Sequence, residues 1–266
     1  MATKSVSTDP STVTVAYETV GSIAILTLAE ARRRNVLSRA TMTALKGHLD
    51  RIAGDTSISV AIIRAEGSVF SSGHDLKELR DSTETEAAAI FALCSSMMEA
   101  IRLLPQPVIA QVQGLATAAG CQLAATCDLV VASENAAFAT PGVKTGLFCT
   151  TPGVALARAV PLKKAMEMLL TGEPISAQEA KDYGLVNRIV SAEKLEEETM
   201  ALARKVDEAS STVLRIGKQA FYRQIALDRP DAYQIAGQVM CENLFEPDAK
   251  EGISAFLEKR EPKWGK

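Results

Sequence analysis

The chain has 266 residues, 47% apolar and 23% charged, with a formal net charge of -3; these are ordinary globular proportions and exclude disorder or a fibrous architecture. A pI near 5.6 excludes the overall basicity of nucleic-acid binders, whose domains usually lie above about 9. An anionic ligand must therefore meet locally placed cations.

Residues 1–17 are rich in Ser, Thr and Val and lack both the apolar stretch of a secretory leader and the Arg-rich pattern of a transit peptide, so a cytoplasmic location is expected. Val13–Tyr17 and Ile23–Leu28 are β-branched runs parted by Gly21 and Ser22, as in a hairpin. Met42, Leu45, Leu49 and Ile52 recur at helical spacing, and Val60–Ile63 then reads as a buried strand. A long helix over about 84–104, a strand at Val108–Val112, a helix from about Gly120 and a strand at Leu129–Ala132 continue the alternation of a helix-covered parallel sheet. The uncharged run Leu103–Cys127 contains Pro105, Pro107, four glutamines and two glycines. It reads as core rather than as a membrane span.

Beyond Pro152 the pattern turns helical: Val154–Val160, Lys163–Leu170, and a capping box at Ser176 to Glu179. A last short strand is expected at Val186–Val190, then three or four amphipathic helices broken near Ser210, Pro230 and Pro247. The expected organisation is an α/β core over residues 1–190 and a helical part over 191–266. Cys94, Cys121, Cys127, Cys149 and Cys241 are odd in number and lack C-x-x-C spacing, which fits reduced, buried thiols. His48 and His74 stand apart from any cysteine or carboxylate cluster, so no metal site is expected.

Two segments carry chemistry. Val69 to Leu79 is a small-residue turn leaving a strand, where ligands of parallel sheets bind, though a surface turn with Asp75 capping a short helix is an equally physical use. Gln113 to Leu123 passes through small residues into a helix whose free N–H groups could stabilise an oxyanion, or whose small residues simply allow close packing.

Together with Ala31–Leu37, Phe138–Gly146, Thr171–Ala177 and Gly252–Arg260, these segments resemble the enoyl-CoA hydratase/isomerase, or crotonase, superfamily along nearly the whole chain. Ser71–Leu76 and Gly146–Val154 are most similar to its enoyl-CoA hydratase domain-containing protein 3 group. The resemblance implies a crotonase (ClpP-like) spiral of repeated ββα units with a C-terminal helical trimerisation part, hence a homotrimer or hexamer. It implies an acyl-CoA thioester as partner, with coenzyme A part of the substrate and no separate cofactor. The backbone N–H groups of His74 and Ala119 fall at the oxyanion-hole positions, and Ser72, Asp75, Leu76, Gly120, Gln122, Pro141, Gly142 and Gly146 at positions around the substrate. Arg32, Arg33 and Arg34 fall where the nucleotide is held, and Phe256 and Lys259 where relatives reach a neighbour's coenzyme A.

The sequence departs from the hydratases at both catalytic glutamates, for which it has Gln122 and Gly142. An amide without a proton-transfer pKa and a missing side chain exclude the two-glutamate mechanism. Restoring glutamate at both positions is expected to raise hydratase activity if the rest of the pocket is intact. Three readings stay open: an enzyme that keeps the oxyanion hole without the glutamates; an active hydratase or isomerase of fatty acid metabolism whose acid and base come from other groups, such as the His74 side chain, Asp128, Glu134 or Lys144; and a noncatalytic acyl-CoA-binding protein. For Asp128 and Glu134 a capping, sheet-supporting or solvated role is the expectation.

Overall fold

The computed structural model describes residues 13–265. Its first part repeats one unit, a strand followed by a second strand and a helix. The units are β1 (Val15–Val20), β2 (Ile23–Leu28) and α1 (Arg39–Ala53); β3 (Val60–Ala65), β4 (Val69–Ser71), α2 (Leu76–Arg80) and α3 (Glu84–Leu103); β5 (Val108–Val112), β6 (Leu115–Thr117) and α4 (Ala119–Thr126); and β7 (Leu129–Ser133), β8 (Ala137–Ala139), α5 (Thr150–Ala159) and α6 (Leu162–Thr171). Then come β9 (Ile175–Ser176), α7 (Ala177–Asp182), β10 (Arg188–Val190), α8 (Leu195–Asp207), α9 (Ser211–Gln224), α10 (Arg229–Leu244) and α11 (Pro247–Glu258).

Successive units split their strands between two sheets. One has the order β1-β2-β3-β5-β7-β10 and the other β4-β6-β8-β9. Apart from β1 against β2 and β9 against β8, neighbours run parallel. Both faces of the larger sheet are covered: on β2, Ala24, Leu26 and Leu28 enter the main core with α1 and α3, while Ile23 and Ile25 enter a second cluster with Leu195, Leu202 and Ala203 of α8. A strand buried on both faces loses its polar alternation and reads as a continuous apolar run.

The long elements match their expected extents, and the Ser176–Glu179 capping box forms in both directions, at 2.9 and 3.2 Å. A second box, Thr83 with Glu86, opens α3. The structure differs at three points. β1 extends to Val20, and the turn is confined to Gly21 and Ser22. The second sheet, whose strands are two or three residues long, gives no strand pattern of its own along the sequence and follows only from the repeated ββα units that the resemblance implies. The break expected near Pro230 falls at 225–228, and Pro230 itself lies in the first turn of α10, behind the cap Asp228, where its missing N–H costs nothing. Cys241 is exposed on α10 rather than buried. No helix among the described residues is long and apolar enough to cross a membrane.

Candidate functional site

β4, β6 and β8 lie side by side and end together, with Ser71 beside Ala116 and Thr117 beside Ala139. Their carboxyl ends deliver the turn 72–75, the start of α4 and the segment 140–146 to one edge, the place where parallel sheets bind ligands. The first two meet closely. A Cβ on Gly73, whose φ is +84°, would lie 2.9 Å from the Ala118 Cβ and 3.0 Å from the Ala119 nitrogen. Only glycine fits both that angle and that gap. A Cβ on Gly120 would lie 2.3 Å from the Ser71 carbonyl oxygen.

Ala118 has φ 52° and ψ -119°, a conformation sparsely adopted by residues with a Cβ and found mostly where surroundings over-determine it. Its N–H donates to the Ala139 carbonyl at 2.9 Å and its own carbonyl accepts from the Gln122 N–H at 3.0 Å. The strained residue is thus Ala118, one before the alanine that stands in the expected glycine position. Ala119 opens α4, so helix geometry offers its N–H no acceptor within the helix. No turn or loop bond among the described residues takes up the His74 N–H. Two backbone donors therefore flank the Gly73 contact.

Buried side-chain polar atoms without a partner are rare in folded proteins and call for an explanation. Three here are the oxygens of Asn35, Gln106 and Gln113, whose amide nitrogens each donate to carbonyls at element ends and in the adjoining loops. Of the other five, Asn243 Nδ2 lies on α10, and four, His74 Nε2, Thr117 Oγ1, Gln122 Oε1 and Thr140 Oγ1, belong to the segments that end β4, β6 and β8. Thr140 is fully buried and Gln122 is 5% exposed. Burial holds the His74 imidazole down at about 4, so it is neutral at physiological pH, and it packs edge-on against Phe91. The four groups are uncharged polar side chains buried at the ends of the three strands.

Position 142 is closed. Gly142 lies in a short 3-10 helix, Pro141–Thr145, that ends at Gly146 in the left-handed region, φ 80°. A Cβ on Gly142 would lie 2.1 Å from the Leu147 carbonyl oxygen and 2.8 Å from Cys149 Sγ. The segment after Gly146 has moved into the space a side chain would need. The expectation that glutamates at 122 and 142 would restore hydratase chemistry is therefore corrected: position 142 has no room for one. Burial raises the Cys149 thiol above its ordinary value, and that of Cys121 to about 12.

Arg32 and Arg33 lie in a 3-10 turn, Ala31–Arg33, with Arg34 following at φ 55°. The Ser72 N–H donates to the Arg34 carbonyl at 3.0 Å and the Leu37 N–H to the Gly73 carbonyl at 2.8 Å, which sews the basic run beside the site. The three arginines do not form one free patch. Arg33 is held by Glu30 at 2.9 Å and by Asp75, leaving Arg32 and Arg34 without an ion pair among the described residues. Asp75 also caps α2 through the Lys77 N–H, at 2.9 Å, and Leu76 is exposed at its first position. Phe256, 80% exposed, and Lys259, the left-handed end of α11, sit on a helix packed against α9 and α10. In one chain they are not joined to the other site residues.

Of the possible substitute acids and bases, Asp128 is committed elsewhere. It accepts from the Val108 N–H at 2.7 Å, Lys218 at 2.6 Å and the Tyr222 hydroxyl at 2.8 Å. Glu134 is exposed, and Lys144 pairs with Glu173 at 2.6 Å. Sequence reasoning passed over Thr117, Thr140, Ala118 and Cys149. A threonine at a strand end carries no signal by itself; only the convergence of three strand ends gives it one.

Residues 18–266 match the enoyl-CoA hydratase/isomerase family. The mouse mitochondrial enoyl-CoA hydratase domain-containing protein 3 is 52% identical over 240 residues, 90% of this chain and 80% of that protein. Among solved structures, the human enoyl coenzyme A hydratase domain-containing protein 3 superposes with a TM-score of 0.92 at 50% identity, covering 95% of this chain and all of the other. An enoyl-CoA hydratase of Mycobacterium smegmatis gives a TM-score of 0.93 at 45% identity, covering 95% and 99%. The mouse, human and rat relatives are mitochondrial by name, which overturns the cytoplasmic expectation. Reduced thiols separate oxidising from reducing compartments, not one reducing compartment from another, and residues 1–12 lie outside the described residues.

Proposed function

The chain belongs to the enoyl-CoA hydratase/isomerase family and has the crotonase fold, and on that premise we propose that it binds an acyl-CoA thioester with the carbonyl oxygen between the N–H groups of His74 and Ala119. The observation that carries this reading is the convergence of four unpartnered polar side chains and two free backbone donors where β4, β6 and β8 end. Orphaned polar atoms gathered at one ligand-binding edge fit a site whose partner is the ligand. Arg32 and Arg34 supply charge for the nucleotide phosphates.

Charge that develops on the thioester oxygen as an enolate forms falls on two fixed dipoles, reinforced by the amino end of α4. Such donors need no reorganisation during the reaction, and each is typically worth about 2.7 to 4 kcal/mol of barrier. Proton transfer is what the site lacks. Gln122 cannot ionise, Gly142 has no side chain, and losing general acid–base help costs about 10²- to 10⁴-fold for each group. The enolate-stabilising half of hydratase chemistry is kept without the half that moves protons.

Exposed apolar side chains on α9, α10 and α11, among them Phe221, Met240 and Phe256, support a cyclic homotrimer or hexamer in which Phe256 and Lys259 reach a neighbour's coenzyme A. A closed ring covers such faces by packing one patch of each chain against a different patch of its neighbour. The test pairs binding with turnover. Purified chain should bind butyryl-CoA yet hydrate crotonyl-CoA about 10²-fold or more below a two-glutamate hydratase. Turnover within about tenfold of such an enzyme would contradict the account.

A further inference from the structure

Apolar packing holds α11 weakly. Of its 12 residues only Asp248 and Ala255 are buried, while Ile253, Phe256 and Leu257 are exposed. Helices in proteins owe most of their order to a packed apolar face, so α11 needs another anchor. The residues that follow it supply one.

The chain turns back at Lys259, whose φ is 56°, and the Lys259 and Arg260 N–H groups donate to the Phe256 and Ala255 carbonyls at 3.2 and 3.0 Å. Arg260 then donates to both oxygens of Glu251, at 2.6 and 3.0 Å, and the same carboxylate accepts from the Lys263 N–H at 2.8 Å. The Trp264 indole N–H donates to the Glu208 carbonyl, at the end of α8, at 2.8 Å. Its ring lies against Gly252, where a Cβ would stand 3.2 Å from two ring carbons. The Gly265 N–H donates to Asp248 at 2.8 Å, and the other oxygen of that buried carboxylate accepts from the hydroxyl of Ser210, the cap of α9. Residues 259–265 thus clasp α11 and tie it to the junction of α8 and α9.

Lys259 occupies a left-handed turn that favours glycine, so a lysine there is strained where a glycine would not be. Its neighbour Arg260 is paired with Glu251 and Glu258, whereas Lys259 has no ion pair among the described residues. A free cation three positions from an exposed aromatic ring suits a ligand that carries phosphates and a base. Resting on the acyl-CoA reading and the assembly proposed above, we infer that the clasp of residues 259–265 fixes α11 so that Lys259 and Phe256 meet the nucleotide end of a neighbouring subunit's coenzyme A. Trp264, Glu251 and Asp248 are positioning residues. They act through the helix they hold, and holding it before the ligand arrives lowers the ordering cost of binding.

The test compares two ligands on the full chain: butyryl-CoA, and butyryl-pantetheine, which has the same thioester and no nucleotide. Calorimetry reads the first and ligand-observed NMR the second. Trp264→Ala and Glu251→Ala should each weaken butyryl-CoA about tenfold, the scale of one lost charge-assisted hydrogen bond, and leave butyryl-pantetheine unchanged. Trp264 is the chain's one tryptophan, so in Glu251→Ala its emission should move to longer wavelength as the ring leaves Gly252. Lys259→Gly relieves the turn, so its unfolding midpoint should be no lower than that of the unaltered chain while butyryl-CoA weakens by the same factor. Equal loss of both ligands in Trp264→Ala and Glu251→Ala would make the clasp a support for the whole fold and overturn the proposal. Unchanged butyryl-CoA affinity in Lys259→Gly, or unmoved emission in Glu251→Ala, would overturn it too, and both would leave the acyl-CoA reading standing. Failure of the unaltered chain to bind butyryl-CoA overturns that reading as well.

Discussion

At position 142 the decisive quantity is the space for one carbon. With the Leu147 oxygen 2.1 Å and Cys149 Sγ 2.8 Å from where a Cβ would stand, Gly142→Ala forces the backbone after Gly146 to move. Overpacking of this kind costs about 1 to 3 kcal/mol. Denaturant unfolding should show that loss, and the double change Gln122→Glu with Gly142→Glu should lose stability without gaining hydratase activity; full stability in Gly142→Ala would show the contact to be harmless. His74 makes a separate demand. The folded chain takes its proton near 4 and the unfolded chain near 6.5, so the unfolded state binds more protons in between. The contribution of His74 is therefore whole above about 6.5 and is lost as pH falls through that window toward 4. His74→Asn should flatten the fall in unfolding free energy between pH 7 and 4, and an unchanged slope would contradict the buried, neutral imidazole. That glutamates are missing at 122 and 142 was legible in the sequence; that 142 is sterically closed was not, since it depends on where Leu147 and Cys149 fold back.

Among the elements, legibility followed length. α3 and β5 lie where their patterns place them, because helical spacing over twenty residues, or a five-residue strand with four apolar positions, identifies itself. Val69–Ser71, Leu115–Thr117 and Ala137–Ala139 are too short and too small-sided to show period two, yet these three strands build the site. The attachment of α9 was also hidden. Lys218 donates to Asp128 at 2.6 Å and to the Ile101 and Gln106 carbonyls at 3.1 and 3.0 Å, capping the end of α3 from 112 or more residues away. Its side chain is 6% exposed and that of Asp128 16%. Lys218→Met would leave Asp128 largely buried without its cation, a change that typically costs about 3 to 5 kcal/mol. Equilibrium unfolding should register it, whereas a loss under about 1 kcal/mol would mean water replaces the ammonium.

For the whole molecule, motif strings spread from Ala31 to Arg260 made the family legible, since their order and spacing encode the turn, strand and helix starts that meet at one edge. Compartment was not legible, because the body of the chain bears no address. Nor could composition tell which apolar residues a single chain leaves bare, such as Phe245, Phe256 and Leu257; that depends on how α9, α10 and α11 pack. The central claim concerns a carbonyl group and two peptide N–H donors, and the spectrum of that carbonyl tests it most directly. Butyryl-CoA labelled with ¹³C at the thioester carbonyl should show a downfield shift of that resonance on binding, because two hydrogen bonds draw electron density toward oxygen. A ligand that binds stoichiometrically with its carbonyl resonance unmoved from the position in water would contradict the assignment of His74 and Ala119.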